Sequence, residues 1–107
     1  MDVYRDRWFL YDDARKQWGD YAQVLMLAEE CLELALLCHR IARQRIDLFE
    51  TAPRLTEEIA DVEIMIEQIK SMFGVREGEV TEVKKSKLAR LAERLTGSKA
   101  VSRDKEE

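Results

Sequence analysis

A chain of 107 residues has room for one small domain. Hydrophobic residues make up 46% of it and charged residues 37%, with four glycines and one proline, the balance of a helical protein with an apolar core and a heavily charged surface. A net charge of −4 gives no global attraction for nucleic acid, no stretch reaches the roughly 18 apolar residues of a membrane-spanning helix, and the charged start at Met1 to Arg7 lacks the apolar centre of a signal peptide; a cytoplasmic protein is expected.

The first segment, Asp2 to Gln17, spaces Tyr4, Trp8, Leu10, Tyr11 and Ala14 among charges and reads as a short amphipathic helix. Trp18-Gly19-Asp20 breaks it, and Asp20 with Gln23 three residues on fits a capping box. A second helix is expected from about Tyr21 to Arg45. Between Val24 and Cys38 its only polar residues are Glu29, Glu30 and Glu33, so it should be central and buried on several sides. Arg40, Arg43 and Arg45 suit its C-terminus. After a connector from Ile46 to Ala52, Pro53 suits the first turn of a third helix reaching Phe73. There Leu55, Ile59, Val62, Ile66, Ile69 and Phe73 form the apolar stripe, Met65 and Met72 flank it, and Glu63, Glu67 and Lys70 look solvated. Gly74 serves as its C-cap. A fourth helix from about Glu79 to Leu95 has a thinner stripe of Val80, Val83, Leu88, Leu91 and Leu95, and Gly97 ends it. Residues 1–97 read as one all-α domain and residues 98–107 as a polar, disordered tail. A helical protein this small has a poor surface-to-volume ratio, so burial between subunits is expected.

Cys31 and Cys38 stand two turns apart on one helix, roughly 10 Å, too far for a mutual disulfide; they read as small core hydrophobes. His39 falls about opposite Glu30 on the helical wheel, away from any site built around that residue.

Glu30 and Glu33 on the second helix, and Glu58 and Asp61 on the third, are carboxylate pairs three residues apart, a spacing that points both members the same way. Both pairs lie among aliphatic residues, where ionised carboxylates are rarely buried unless paired or metal-bound. Clustered, they would repel and raise one another's pKa values. A divalent cation removes that cost; so would arginine or lysine from another helix, and spacing leaves both compensations open. An all-oxygen donor set favours Mg²⁺ or Mn²⁺ over zinc, and Mg²⁺ takes its remaining ligands from water and substrate phosphates. Such an ion polarises a phosphoryl oxygen and activates a bound water. Glu29 and Glu57 sit beside the pairs, where either could orient a water or hold a second metal, or simply face solvent.

The run Glu29-Glu30-Cys31-Leu32-Glu33-Leu34-Ala35, then Leu55-Thr56-Glu57-Glu58-Ile59-Ala60-Asp61-Val62, resembles the signature of the MazG-like all-α nucleoside triphosphate pyrophosphohydrolases. The resemblance covers about Trp18 to Leu95. It implies helical hairpins forming a four-helix-bundle core completed by oligomerisation, as a homodimer or homotetramer. It implies Mg²⁺-dependent cleavage of a nucleoside triphosphate to the monophosphate and pyrophosphate, with Glu30, Glu33, Glu58 and Asp61 as metal ligands; Glu29 joins the expected catalytic set from its place beside them. Such enzymes cleanse or adjust the nucleotide pool. On the fourth helix Lys84, Lys87, Arg90 and Arg94 resemble the family's basic phosphate-binding positions, while Leu91 stands where members carry asparagine. Trp18 is an expected base-stacking residue, with Trp8 and Tyr21 nearby; each also suits packing. Two other readings remain: a non-catalytic helical module binding a nucleotide or a protein, and a phosphoribosyl-ATP pyrophosphohydrolase on the same architecture. Neither nucleic acid nor membrane is an expected partner.

Overall fold

A computed structural model describes residues 2–97. The described residues form four helices, α1 (Arg7–Trp18), α2 (Asp20–Gln44), α3 (Leu48–Phe73) and α4 (Glu77–Thr96), with no strand among them. The all-α expectation is met. The tail expected at 98–107 lies outside the described residues. The chain divides into two compact units, Met1–Gly74 and Val75–Glu107.

Local chemistry sets the boundaries. Gly19 ends α1 at φ 88°, a backbone region open to glycine and strained for other residues, and its amide donates to the Arg15 carbonyl at 2.8 Å. The capping box expected of Asp20 and Gln23 is not formed. Asp20 is the first residue of α2, with Gly19 at the cap position, and its carboxylate accepts from Arg15 Nε at 2.6 Å, which holds it below the usual carboxylate range. Arg45 closes α2 in the left-handed region. Helix α3 begins five residues earlier than Pro53 suggested, because Asp47 caps it: the Asp47 carboxylate accepts from the amides of Phe49 at 2.8 Å and Glu50 at 3.3 Å. Pro53 then lies inside the helix and lacks the N–H that would reach the Phe49 carbonyl. Gly74 caps the far end at φ 66° as expected, its N–H donating to Lys70. In the second unit, α4 starts two residues before the expected start, where the Arg76 backbone N–H donates to Glu79 Oε1 at 3.1 Å.

The first unit is built on the seam between α2 and α3, which form an antiparallel hairpin across a three-residue turn. Leu37, Val62 and Met65 are its buried apolar residues. Two expectations are corrected here. Helix α2 is not buried on several sides within one chain: Leu25, Leu32 and Leu36 are all more than half exposed, because α3 covers one face of α2 and α1 only part of another. Helix α3 is also turned relative to its predicted stripe. Met65 joins the core while Ile59, Ile66 and Phe73 remain exposed, since the line through Glu58, Val62 and Met65 is the one that meets α2. Cys31 and Cys38 are free and exposed rather than core residues.

Glu67, expected to be solvated, ties α1 to α3. It accepts from Arg7 Nε at 2.9 Å and from the Tyr11 hydroxyl at 2.6 Å. Arg7 lies over the rings of Tyr4 and Trp8, 4.2 and 5.0 Å from their centroids, and Trp8 meets Tyr11 edge-on. The Arg7 hydrogen bond holds the Glu67 carboxyl below its ordinary value, and burial with the Glu67 contact pushes Tyr11 up to about 12. A carboxyl with a lowered folded-state pKa contributes stability above its unfolded pKa and loses it as the pH falls through the folded value. Glu67→Gln should therefore cost about 1 kcal/mol in urea denaturation at pH 7, and the difference from wild type should shrink as the pH falls below the ordinary glutamate range; a pH-independent difference would assign the effect to packing.

Candidate metal centre and its flanking pockets

The Glu30-x-x-Glu33 pair on α2 and Glu58 on α3 meet across the seam. One carboxylate oxygen from each of Glu30, Glu33 and Glu58 lies within 4.8 Å of the others. Helix periodicity explains the juxtaposition: the pairs share a face on their own helices, and the antiparallel hairpin sets those faces opposite each other. Glu30 is half-buried and Glu58 is only 9% exposed, whereas Glu33 opens to solvent. Asp61 is exposed and outside the 4.8 Å group, but it is the charge that acts most strongly on Glu30. Burial first, then Asp61, Glu33, Glu58 and Glu29, raises the Glu30 carboxyl above the ordinary value.

The two compensations left open by the sequence can now be compared. Arg54 Nε stands 4.0 Å from Glu58 Oε1, a long contact within α3 itself rather than from another helix. Glu30 Oε2 and Glu58 Oε2 are buried with no hydrogen-bond partner. Neither unpartnered oxygen is met by an arginine or lysine, and an all-oxygen donor set open on one side fits Mg²⁺ or Mn²⁺. The residues present thus fit a divalent ion.

The seam continues on both sides. Toward the N-terminus of α2, Ala14, Trp18, Ala22, Gln23, Met26, Met65 and Gln68 line a pocket of about 410 Å³. Toward its C-terminus, Glu33, Leu36, Leu37, Arg40 and Arg54 line a second of about 280 Å³. Met26 lies four residues before Glu30, and Arg40 seven after Glu33, so the carboxylates sit between an apolar pocket and a basic one. Trp18 lies in the apolar pocket, whereas Trp8 belongs to the Arg7–Glu67 clasp and Tyr21 is almost fully exposed. Glu29 and Glu57 are exposed, and His39 is no member of the cluster.

Lys84, Lys87, Arg90 and Arg94 all lie on α4, in the second unit. Lys87, Arg90 and Arg94 share one face of that helix with Glu93, while Lys85 pairs with Glu82 at 3.3 Å. Sequence reasoning passed over Arg40, Arg54, Gln23 and Gln68. Arg40 read as part of a helix end, and Arg54 drew no reading. Gln23 was assigned to a cap, and Gln68 carried no signal until its burial was visible.

No protein-family model, curated protein or solved structure matches the chain.

A carboxyl with a raised folded-state pKa favours the fold below its unfolded pKa and loses that contribution as the pH rises through the folded value. Metal-free Glu30→Gln should accordingly melt roughly 2–4 °C above wild type at pH 7.5, with the gap closing near pH 4, where Glu30 is protonated. Millimolar Mg²⁺ or Mn²⁺ should raise the wild-type melting temperature and leave the variant's unchanged. Equal metal-induced shifts in both proteins would show that Glu30 is not a ligand.

Proposed function

We propose that this protein is a Mg²⁺-dependent nucleoside triphosphate pyrophosphohydrolase of the MazG-like kind, releasing nucleoside monophosphate and pyrophosphate in the cytoplasm. The observation that carries the reading is the convergence of Glu30, Glu33 and Glu58 with two buried carboxylate oxygens left unpartnered. Glu30, Glu33 and Glu58 would hold the ion, with Asp61 completing the set from the next turn of α3. The bound ion supplies Lewis-acid polarisation of a phosphoryl oxygen and a more acidic water.

The chain's own residues contribute binding and charge. The solvent-facing Glu33 leaves the cluster accessible to a phosphate chain. Glu29, exposed next to Glu30, is a base positioned to orient an attacking water. Arg40 and Arg54 in the basic pocket supply cations that a departing pyrophosphate requires. The exposed leucines of α2 support assembly into a dimer or tetramer, in which a second hairpin would complete a four-helix core. No helix among the described residues is long and apolar enough to cross a membrane.

The test is incubation with a panel of ribo- and deoxynucleoside triphosphates, with and without Mg²⁺, resolving the products. Monophosphate and pyrophosphate, lost on chelation, are expected; diphosphate with inorganic phosphate would overturn the reaction. No turnover of any nucleotide, with turnover of phosphoribosyl-ATP, would transfer the assignment to that substrate, and nucleotide binding without product would make the protein a binding module. Glu33→Ala and Asp61→Ala should each lower kcat at least about 100-fold with the helical circular dichroism intact. In sedimentation equilibrium the wild type should run as a dimer or tetramer, and Leu32→Asp on the open face of α2 should shift it toward monomer.

A further inference from the structure

The apolar pocket beside the carboxylates contains a feature that the hydrolytic reading does not use. Gln23 and Gln68, at 4% and 8% exposure, are buried amides in its lining, and Gln68 Oε1 has no hydrogen-bond partner. The orientation of this amide follows from its neighbour. Gln68 Nε2 lies 3.4 Å from Met65 Sδ, and a thioether sulfur can only accept. The nitrogen must therefore face the sulfur, and the orphaned atom must be the oxygen. A buried acceptor without a donor is costly, and a ligand that brings an N–H removes the cost.

The geometry points to this pocket as a nucleobase site selective for bases with an exocyclic amino group, such as cytosine or adenine, over uracil and thymine, an inference that rests on the nucleotide-hydrolase reading and extends it to substrate choice. Trp18 offers an indole face, 62% exposed, on which a heterocycle can stack. Met26 and Met65 supply polarisable walls that adapt to a flat ring, and about 410 Å³ is within the usual range for a small-molecule site. Position agrees with chemistry. Met26 is one turn from Glu30 on α2 and Met65 one turn from Asp61 on α3, a rise of roughly 6 Å along each helix. A base in the pocket thus leaves its sugar to bridge to phosphates at the carboxylate cluster. An amino group at the rim of the ring carries the N–H that Gln68 Oε1 lacks. The N3–H of uracil or thymine lies between two carbonyl oxygens, whose dipoles would face the Gln68 oxygen unfavourably. A site built to bond one group rejects analogues that leave its buried polar atom unpaired.

Titration calorimetry on the full chain with Mg²⁺, using cytidine, adenosine and uridine 5′-monophosphates, tests the pocket without requiring turnover. The tighter of the cytidine and adenosine nucleotides should bind at least about tenfold better than uridine monophosphate. Gln68→Leu should erase that ratio with melting still cooperative, and Trp18→Leu should weaken all three nucleotides while preserving it. Equal affinity for the three in wild type, or a ratio that survives Gln68→Leu, overturns the inference. So does a change in oligomeric state, without a change in the base ratio, in either variant, which would give the pocket to a second copy of the chain. Triphosphate hydrolysis indifferent to the base leaves the proposed reaction standing and removes the pocket; base-selective binding with no hydrolysis does the reverse.

Discussion

Carboxylates held together across a helix seam repel, and the cost is greatest where water cannot screen them. The first unit of this protein carries that cost at its centre. Glu30 and Glu58 occupy the same α2–α3 seam as Leu37, Val62 and Met65, so the contact that folds the hairpin also gathers the charges. The seam cannot be closed without confronting Glu30 with Glu58, and the burial that gives the hairpin its core raises the Glu30 carboxyl. The elements around the cluster make sense in relation to this conflict. Glu33 and Asp61 face outward, where an ion and its waters can reach them, and Arg54 approaches Glu58 only to a long contact that leaves one oxygen unpaired.

The same seam organises what lies on either side. An antiparallel pairing converts sequence distance into position along one axis: the α1–α2 junction and the C-terminal half of α3 lie at one end, and the end of α2 with the start of α3 at the other. The first end gathers Trp18, two methionines and two buried amides; the second gathers Arg40 and Arg54. A nucleotide has the same polarity, with a flat, hydrogen-bonding heterocycle at one end and a chain of anionic phosphates at the other. The Arg7–Tyr11–Glu67 clasp supports this layout, because it docks α1 on α3 and so carries Ala14 and Trp18 to the apolar pocket.

Few apolar side chains are well buried in one copy. A hairpin with one short helix against it has too little interior for the apolar residues that α2 carries, and a large exposed apolar surface marks an interaction site. The exposed leucines of α2 are then the surface open to the further helix pair proposed above, and only the part facing α3 serves the single chain.

The helices themselves were legible in the sequence, because a period of 3.6 residues and the glycines at 19 and 74 are local signals. So were the carboxylates, since spacing of three residues places side chains on one face whatever the helix meets. Boundaries set by competing caps were less legible: Asp47 started α3 ahead of Pro53, and Arg15 drew Asp20 away from the cap expected of it. What only the tertiary structure decided was which faces meet. That choice turned Met65 inward and Ile59 outward, made Glu67 a clasp rather than a surface charge, brought Glu58 within reach of Glu30 and Glu33 while leaving Asp61 at the margin, and buried Gln68 with an unpaired oxygen. A residue's own helix determines its direction, but burial and partnership are properties of pairs of helices, and the separation between Glu30 and Glu58 exists only once the hairpin has closed.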